Sequence, residues 1–206
     1  MIRAILFDLD GVLVDACEWH YVALNRALEE VSRTSISRDE HIKVFNGLPT
    51  KKKLELLSNQ GRVDPNHHSM IWNRKQELTK DTIMQLAKPD PVKKELHGYL
   101  IRSGLQSICI TNSIYETARL MLECTDQYRF LTGIISNDRV RYPKPHPECY
   151  ISGMVTLMSY PFETIIVEDS EVGLLGARHT GANVWAVPGY HEVTKENFIK
   201  IFKDYI

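Results

Sequence analysis

Ile5-Leu6-Phe7-Asp8-Leu9-Asp10-Gly11-Val12-Leu13-Val14-Asp15 decides the reading of this chain. A short apolar run stops at two carboxylates, one residue apart, and a glycine follows. A continuous apolar run of this length predicts a strand buried on both faces, as in the parallel sheet of an α/β protein. Acids at the C-terminal end of such a strand stand where open α/β sheets place their ligands. In an extended chain, residues i and i+2 point the same way, which would aim both carboxylates at one spot. Such a pair is costly without a cation or a proton between them. A strand running into an ordinary Asp-Gly turn is the alternative, and the rest of the chain decides between the two.

Beyond Asp15 the period changes. Trp19, Val22, Ala23, Ala27, Leu28 and Val31 recur at helical spacing. Ser37-Arg38-Asp39-Glu40 has the form of a capping box and Asn46-Gly47 that of a stop. Thr50 is placed to cap a helix bearing Leu54, Leu56 and Leu57, and a third pattern from about 66 to 87 carries Met70, Ile71, Leu78, Ile83, Met84 and Leu86. No strand interrupts these roughly 70 residues, too many for a simple crossover. After Lys88-Pro89-Asp90-Pro91, helix and strand alternate to the end, with strands expected at 107–111, 133–135, 164–167 and 183–187. Alternation of this kind implies right-handed crossovers and a parallel sheet. The expected architecture is α/β, a Rossmann-like parallel sheet with helices on both faces, plus an inserted all-α domain. Residues 1–15 and 89–206 would form the core and 16–88 the helical cap.

Composition excludes several classes. The chain of 206 residues is 43% hydrophobic and 25% charged with a net charge of −1, so no field favours nucleic acid or an anionic membrane. No apolar run reaches the length of a membrane span, and the first strand turns acidic too soon for a signal peptide. Cys17, Cys109, Cys124 and Cys149 show no metal spacing, and Cys109 falls in an apolar run as a buried thiol would. A reduced, cytoplasmic protein acting as a monomer is the expectation.

Four polar clusters fall at strand ends: Asp8/Asp10, Thr111-Asn112-Ser113, Lys144 within Tyr142-Pro143-Lys144-Pro145, and Glu168-Asp169. One sheet edge would gather them into one crevice. Carboxylates so dense call for a hard cation with oxygen ligands, and Mg²⁺ binds through a few carboxylates plus substrate phosphate. A hydroxyl, an amide and an ammonium suit the remaining phosphate oxygens.

In these clusters the chain resembles the haloacid dehalogenase superfamily. Asp8-Leu9-Asp10-Gly11-Val12-Leu13-Val14-Asp15, Thr111-Asn112, Lys144-Pro145 and Glu168-Asp169-Ser170 are similar to its four motifs in order, and Gly173, Ala177 and Gly181 follow with similar spacing. The insert stands where relatives resembling β-phosphoglucomutase and phosphoglycolate phosphatase carry a helical cap. The resemblance implies Asp8 as nucleophile, forming an aspartyl-phosphate, and Asp10 as general acid and then base. It implies Mg²⁺ held by Asp8, the Asp10 carbonyl, Asp169 and, directly or through water, Glu168. Thr111 and the Asn112 backbone would hold the phosphate, and Lys144 would offset its charge. In the cap, His20 and Lys75 stand at places resembling a gating histidine and a substrate-binding lysine. Thr50 and Lys51 stand where mutase-like relatives carry a phosphate-gripping arginine, a departure that weighs against a mutase because a lysine lacks the planar fork. Lys51-Lys52-Lys53 otherwise reads as a solvated helix face, and His67-His68 as surface.

The leading expectation is a Mg²⁺-dependent phosphatase of a small phosphorylated metabolite such as a sugar phosphate. A phosphomutase of the β-phosphoglucomutase type is the runner-up. A phospho-acceptor signalling module and an inactive binding protein are the readings from other classes.

Overall fold

The computed structural model describes residues 1–205, and β1 (Ala4–Phe7) lies at the centre of its sheet. The other strands are β2 (Gln106–Thr111), β3 (Ile134–Ser136), β4 (Thr164–Glu168) and β5 (Asn183–Ala186). They assemble in the order β3-β2-β1-β4-β5, with every pairing parallel. Ala4 through Phe7 pair with Gln106 through Cys109 on one side and Thr164 through Val167 on the other. The chain leaves β1 in opposite directions at this point, so the crevice beyond its carboxyl end opens at a topological switch.

Alternate residues of β1 feed two different cores, which is why the strand reads as unbroken apolar sequence. Ile5 and Phe7 face a layer made with Leu96 and Leu100 of α5 (Pro91–Arg102), Met121 of α6 (Tyr115–Cys124) and Phe198 of α9 (Lys195–Phe202). Ala4 and Leu6 face Tyr150 and Met154 of α7 (Glu148–Thr156) and Ala177 of α8 (Glu171–Arg178). Helices thus cover both faces, as expected.

Between Asp15 and α5 lie α1 (Cys17–Ser32), α2 (Arg38–Glu40), α3 (Thr50–Asn59) and α4 (His68–Leu86). The capping box at Ser37 is present, with reciprocal bonds to Glu40, and α2 runs on into a single π-helical turn, His41–Phe45. Leu24, Leu28, Phe45, Leu54, Leu57 and Ile71 form a separate apolar cluster within this insert. Asp90 caps α5 through the Val92 amide at 2.8 Å, with Pro91 at the first helical position.

Several details differ from expectation. Thr50 is the first residue of α3; Pro49 precedes it without any side-chain cap. Val22, Met70, Met84 and Leu86 are exposed, whereas Lys75, Gln76 and Thr79 are buried on α4. One face of α4 packs on α1 and another on α6, where Thr117 donates to Gln76 at 3.3 Å. Polar groups on that stripe therefore point inward. The triple lysine divides as well: Lys51 and Lys52 are exposed while Lys53 is buried. Cys109 is a buried thiol, and all four cysteines are free. Among the described residues no helix is long and apolar enough to cross a membrane.

His97 on α5 is 1% exposed, lies stacked on Phe130 and shares a 3.1 Å hydrogen bond with Gln127. Burial pushes its imidazole down to about 4, below the unfolded value near 6.5. The unfolded chain therefore binds the extra proton first as pH falls. This stabilising contribution is complete above about pH 6.5 and is lost towards pH 4, roughly 3 kcal/mol in all. Denaturant titrations at stepped pH should show stability falling across that window. In His97→Gln the slope should be shallower even though the protein is weaker at neutral pH; an unaltered slope would contradict the assignment.

Candidate active site

β1 ends at Phe7 and the chain turns at once. The Leu9 carbonyl accepts from the amides of Val12, Leu13 and Val14 at 3.3, 2.9 and 2.9 Å, and Gly11 adopts φ +88°. A side chain at Gly11 would collide with the Asp169 carboxylate, so glycine is required here for both its dihedral and its close approach. The turn separates the two acids that an extended strand would have aligned. Asp8 continues the line of β1, its amide bonded to the Val167 carbonyl at 3.0 Å, while Asp10 lies inside the turn in a bridge to Val14. Both still border one cavity of about 470 Å³ between the sheet edge and the insert.

Asp8 is paired with Lys144, whose Nζ donates at 2.6 Å. The same ammonium donates to the Ile110 carbonyl at 2.8 Å and to Glu168. Lys144 is 4% exposed and Glu168 is fully buried. Burial opposes the charge on Lys144, but the Asp8 and Glu168 carboxylates outweigh it and hold the lysine protonated well above its usual range. Glu168 also accepts from the Tyr150 hydroxyl at 2.5 Å and from Ser170 at 3.4 Å. Its position at the end of β4 thus serves chiefly to hold Lys144. Gly173 on α8 makes room for that carboxylate, because a Cβ there would overlap it.

Asp8, Glu168 and Asp169 each bring an oxygen within 4.8 Å of the others. Burial and then the Glu168 charge raise both Asp8 and Asp169, the latter to about 7. Asp169 Oδ1 is buried without any hydrogen-bond partner. An orphaned carboxylate oxygen beside two more acids is the donor set of a hard divalent cation.

Asp10 has different company. His20 Nε2 lies 2.9 Å from Oδ1, and Ser113 donates to Oδ2 at 2.8 Å. Lys75 Nζ stands 3.0 Å from His20 Nδ1. Burial would raise Asp10, but His20 and Ser113 bring it down to about 2. Burial, with Lys53 next, brings Lys75 down to about 7.

Thr111 is buried at the end of β2 and accepts from the Ser113 amide at 2.9 Å. The Asn112 side chain ties two loops together. It donates to Gly47 of the insert at 2.7 Å and to the Lys144 carbonyl at 3.2 Å, and accepts from the Lys144 amide at 3.1 Å. Thr50 and Lys51 border the cavity.

The structure therefore gathers Asp8, Asp10, Thr111, Asn112, Lys144, Glu168 and Asp169 at one sheet edge, with His20 and Lys75 facing them from the insert. Sequence reasoning left Ser113 without a role, although it directly follows Thr111-Asn112. It missed Tyr150, whose place on the inner face of α7 gives no polar signal. It also missed His41 and took Lys53 for a surface charge.

Lys144→Met would leave the buried acids without their cation, at a cost of roughly 3–5 kcal/mol near neutral pH. Chemical denaturation should show that loss diminishing as acid protonates the carboxylates. A variant as stable as the parent at pH 7 would contradict this account.

Residues 5–187 match the model of the haloacid dehalogenase-like hydrolases. Over 179 residues the chain is 24% identical to a phosphorylated carbohydrates phosphatase of Thermotoga maritima, spanning 87% of this chain and 82% of that protein. It is 27% identical over 210 residues to the pyrophosphatase PpaX of Oceanobacillus iheyensis, spanning 100% and 92%. Among solved structures, β-phosphoglucomutase from Clostridium difficile superposes with a TM-score of 0.84 at 18% identity, covering 100% of this chain and 99% of that one. CbbY from Rhodobacter sphaeroides superposes at 0.83 with 23% identity, covering 93% and 88%. The order of the parallel sheet and the turn at its central strand agree with the match along the sequence, and the chain belongs to the haloacid dehalogenase-like hydrolase family.

Proposed function

We propose that the protein is a Mg²⁺-dependent phosphatase acting on a small phosphorylated metabolite, with Asp8 as nucleophile. The observation that carries this reading is the Lys144 ammonium, held between Asp8 and Glu168 beside the unpartnered oxygen of Asp169. It fits a site that must receive a phosphoryl dianion. Relatives named for phosphorylated carbohydrates and for pyrophosphate support the substrate class.

Asp8, Asp169 and the Asp10 carbonyl would hold the metal, with Glu168 adding charge nearby. Bound there, Mg²⁺ supplies Lewis-acid neutralisation of phosphoryl oxygens. Thr111 and the Asn112 backbone orient the phosphate, and Lys144 opposes its charge as Asp8 attacks phosphorus. The phosphorus–oxygen bond to the leaving group breaks, and Asp10 delivers a proton to that oxygen. The free site holds Asp10 ionised; a phosphoryl dianion beside it opposes that charge and raises it towards the protonated form. In the second half, Asp10 takes a proton from water as the water attacks phosphorus, and Asp8 leaves as a free carboxylate. His20 and Ser113 orient Asp10 through both steps.

The insert, residues 16–88, acts as a cap that excludes water and meets the leaving group. His20, Lys75, Thr50 and Lys51 are its contributions to the cavity. A phosphomutase would use the same four motif clusters. No arginine borders the cavity among the described residues, which leaves a second phosphate without a bidentate grip and favours transfer to water.

Turnover of p-nitrophenyl phosphate should require Mg²⁺ and release stoichiometric inorganic phosphate. Asp8→Asn should lower kcat at least ~10³-fold, the order expected for loss of a nucleophile. Undiminished hydrolysis in that variant would overturn the mechanism, and conversion of a hexose 1-phosphate to its 6-phosphate would favour the mutase.

A further inference from the structure

The insert's side of the cavity contains two basic side chains that the reaction above does not use. Lys53, from the second turn of α3, is 8% exposed, and His41, from the π-helical turn, is 5% exposed. Both border the same cavity as Asp8 and Asp10. Exposed Lys52, next in the chain, pairs with Glu55 at 2.9 Å. The Lys53 ammonium makes no hydrogen bond or ion pair among the described residues; Asp10 attracts it only at longer range, while Lys75 and His41 lie close enough to be lowered by its charge. The His41 ring lies 5.2 Å from the Tyr21 ring, centroid to centroid; neither nitrogen makes a hydrogen bond of good geometry, and the Cys17 backbone is its one weak polar neighbour that favours the charged form.

A buried ammonium and a buried imidazole without acceptors are both unfavourable by themselves. The surrounding acids do not relieve them. Asp10 is already bonded to His20 and Ser113, and the phosphoryl end of the site is bounded by Asp8, Lys144 and Thr111 on the sheet edge. Lys75, the other buried lysine of the insert, is engaged with His20.

We infer that Lys53 and His41 form a second anion-binding subsite, which takes a carboxylate or phosphoryl group carried on the leaving group of the phosphate ester. The inference rests on the phosphatase reading for the identity of the first anion. A point-charge ammonium and a single N–H donor suit either anion and do not demand bidentate geometry. Burial brings Lys53 down to about 8, because it has lost water and gained no counter-ion; an arriving anion reverses that penalty. Burial, followed by the Lys53 charge, takes His41 down to about 4, so at neutral pH it offers one donor and one acceptor.

The test separates binding from turnover. In the Asp8→Asn background, calorimetry in Mg²⁺ should find 2-phosphoglycolate or inorganic diphosphate bound more tightly than p-nitrophenyl phosphate. Lys53→Met should weaken the favoured compound about ten- to a hundred-fold, as expected for a lost buried charge contact, and p-nitrophenyl phosphate much less. His41→Gln should act in the same direction, and Lys53→Arg, which keeps the charge, should retain most of the preference. Thermal melting of each variant confirms that it is folded. Loss confined to 2-phosphoglycolate assigns a carboxylate to the subsite, and loss confined to diphosphate assigns a phosphoryl group. Equal weakening of every probe, no weakening, or no binding of either compound overturns the subsite. With Asp8 intact, turnover of p-nitrophenyl phosphate without the binding contrast removes the subsite alone. The contrast without turnover of any ester removes the phosphatase reading alone.

Discussion

The Lys144 ammonium is the constraint on which the site depends. Three acids and a carbonyl converge at the carboxyl ends of β1, β2 and β4, in a place nearly closed to water. Without a cation, such a group of carboxylates would have to protonate or move apart. Lys144 supplies one positive charge and three donors from a loop beyond β3, so the loop is bound to the sheet by the charge balance itself. Tyr150 donates to the same Glu168 oxygen that Lys144 holds, and Ser170 donates to the other. Gly173 and Gly11 provide the space in which Glu168 and Asp169 lie.

The two walls of the cavity are electrostatically opposite. Asp8 and Asp10 belong to the sheet edge, while His20, His41, Lys53 and Lys75 belong to the insert. Asp10 is where they meet, bonded to Ser113 of the core and His20 of the insert. The Asn112–Gly47 hydrogen bond adds a second tie. Motion of the insert would therefore change the surroundings of Asp10 more than those of Asp8, which has Lys144 from its own domain. This division fits a reaction in which phosphoryl chemistry is common to a family and the leaving group is chosen by a variable partner.

Parallel strands alternating with helices, the switch point at β1 and the acids at strand ends were legible because each is a local pattern. An apolar run buried on both faces, a proline at a helix start and an Asp or Ser beside it can be read residue by residue. The insert was harder. Its helices were found, but Met70, Met84 and Leu86 turned out exposed and Lys75 and Gln76 buried. Periodicity assumes that the inward face is apolar, and this helix turns part of its inward face towards a polar cavity.

By itself the sequence determined a parallel α/β sheet with a helical insert, and it placed Asp8, Asp10, Thr111, Lys144, Glu168 and Asp169 at one edge. Each ends or follows a strand, and strand direction dictates where it must emerge. Only the tertiary structure decided how those groups divide: Asp8 to Lys144, Asp10 to His20 and Ser113, Glu168 to the lysine and Tyr150, and Lys53 and His41 into the insert's side of the cavity. Pairings between residues far apart in the chain depend on how two separately packed units face each other, and no local spacing records that.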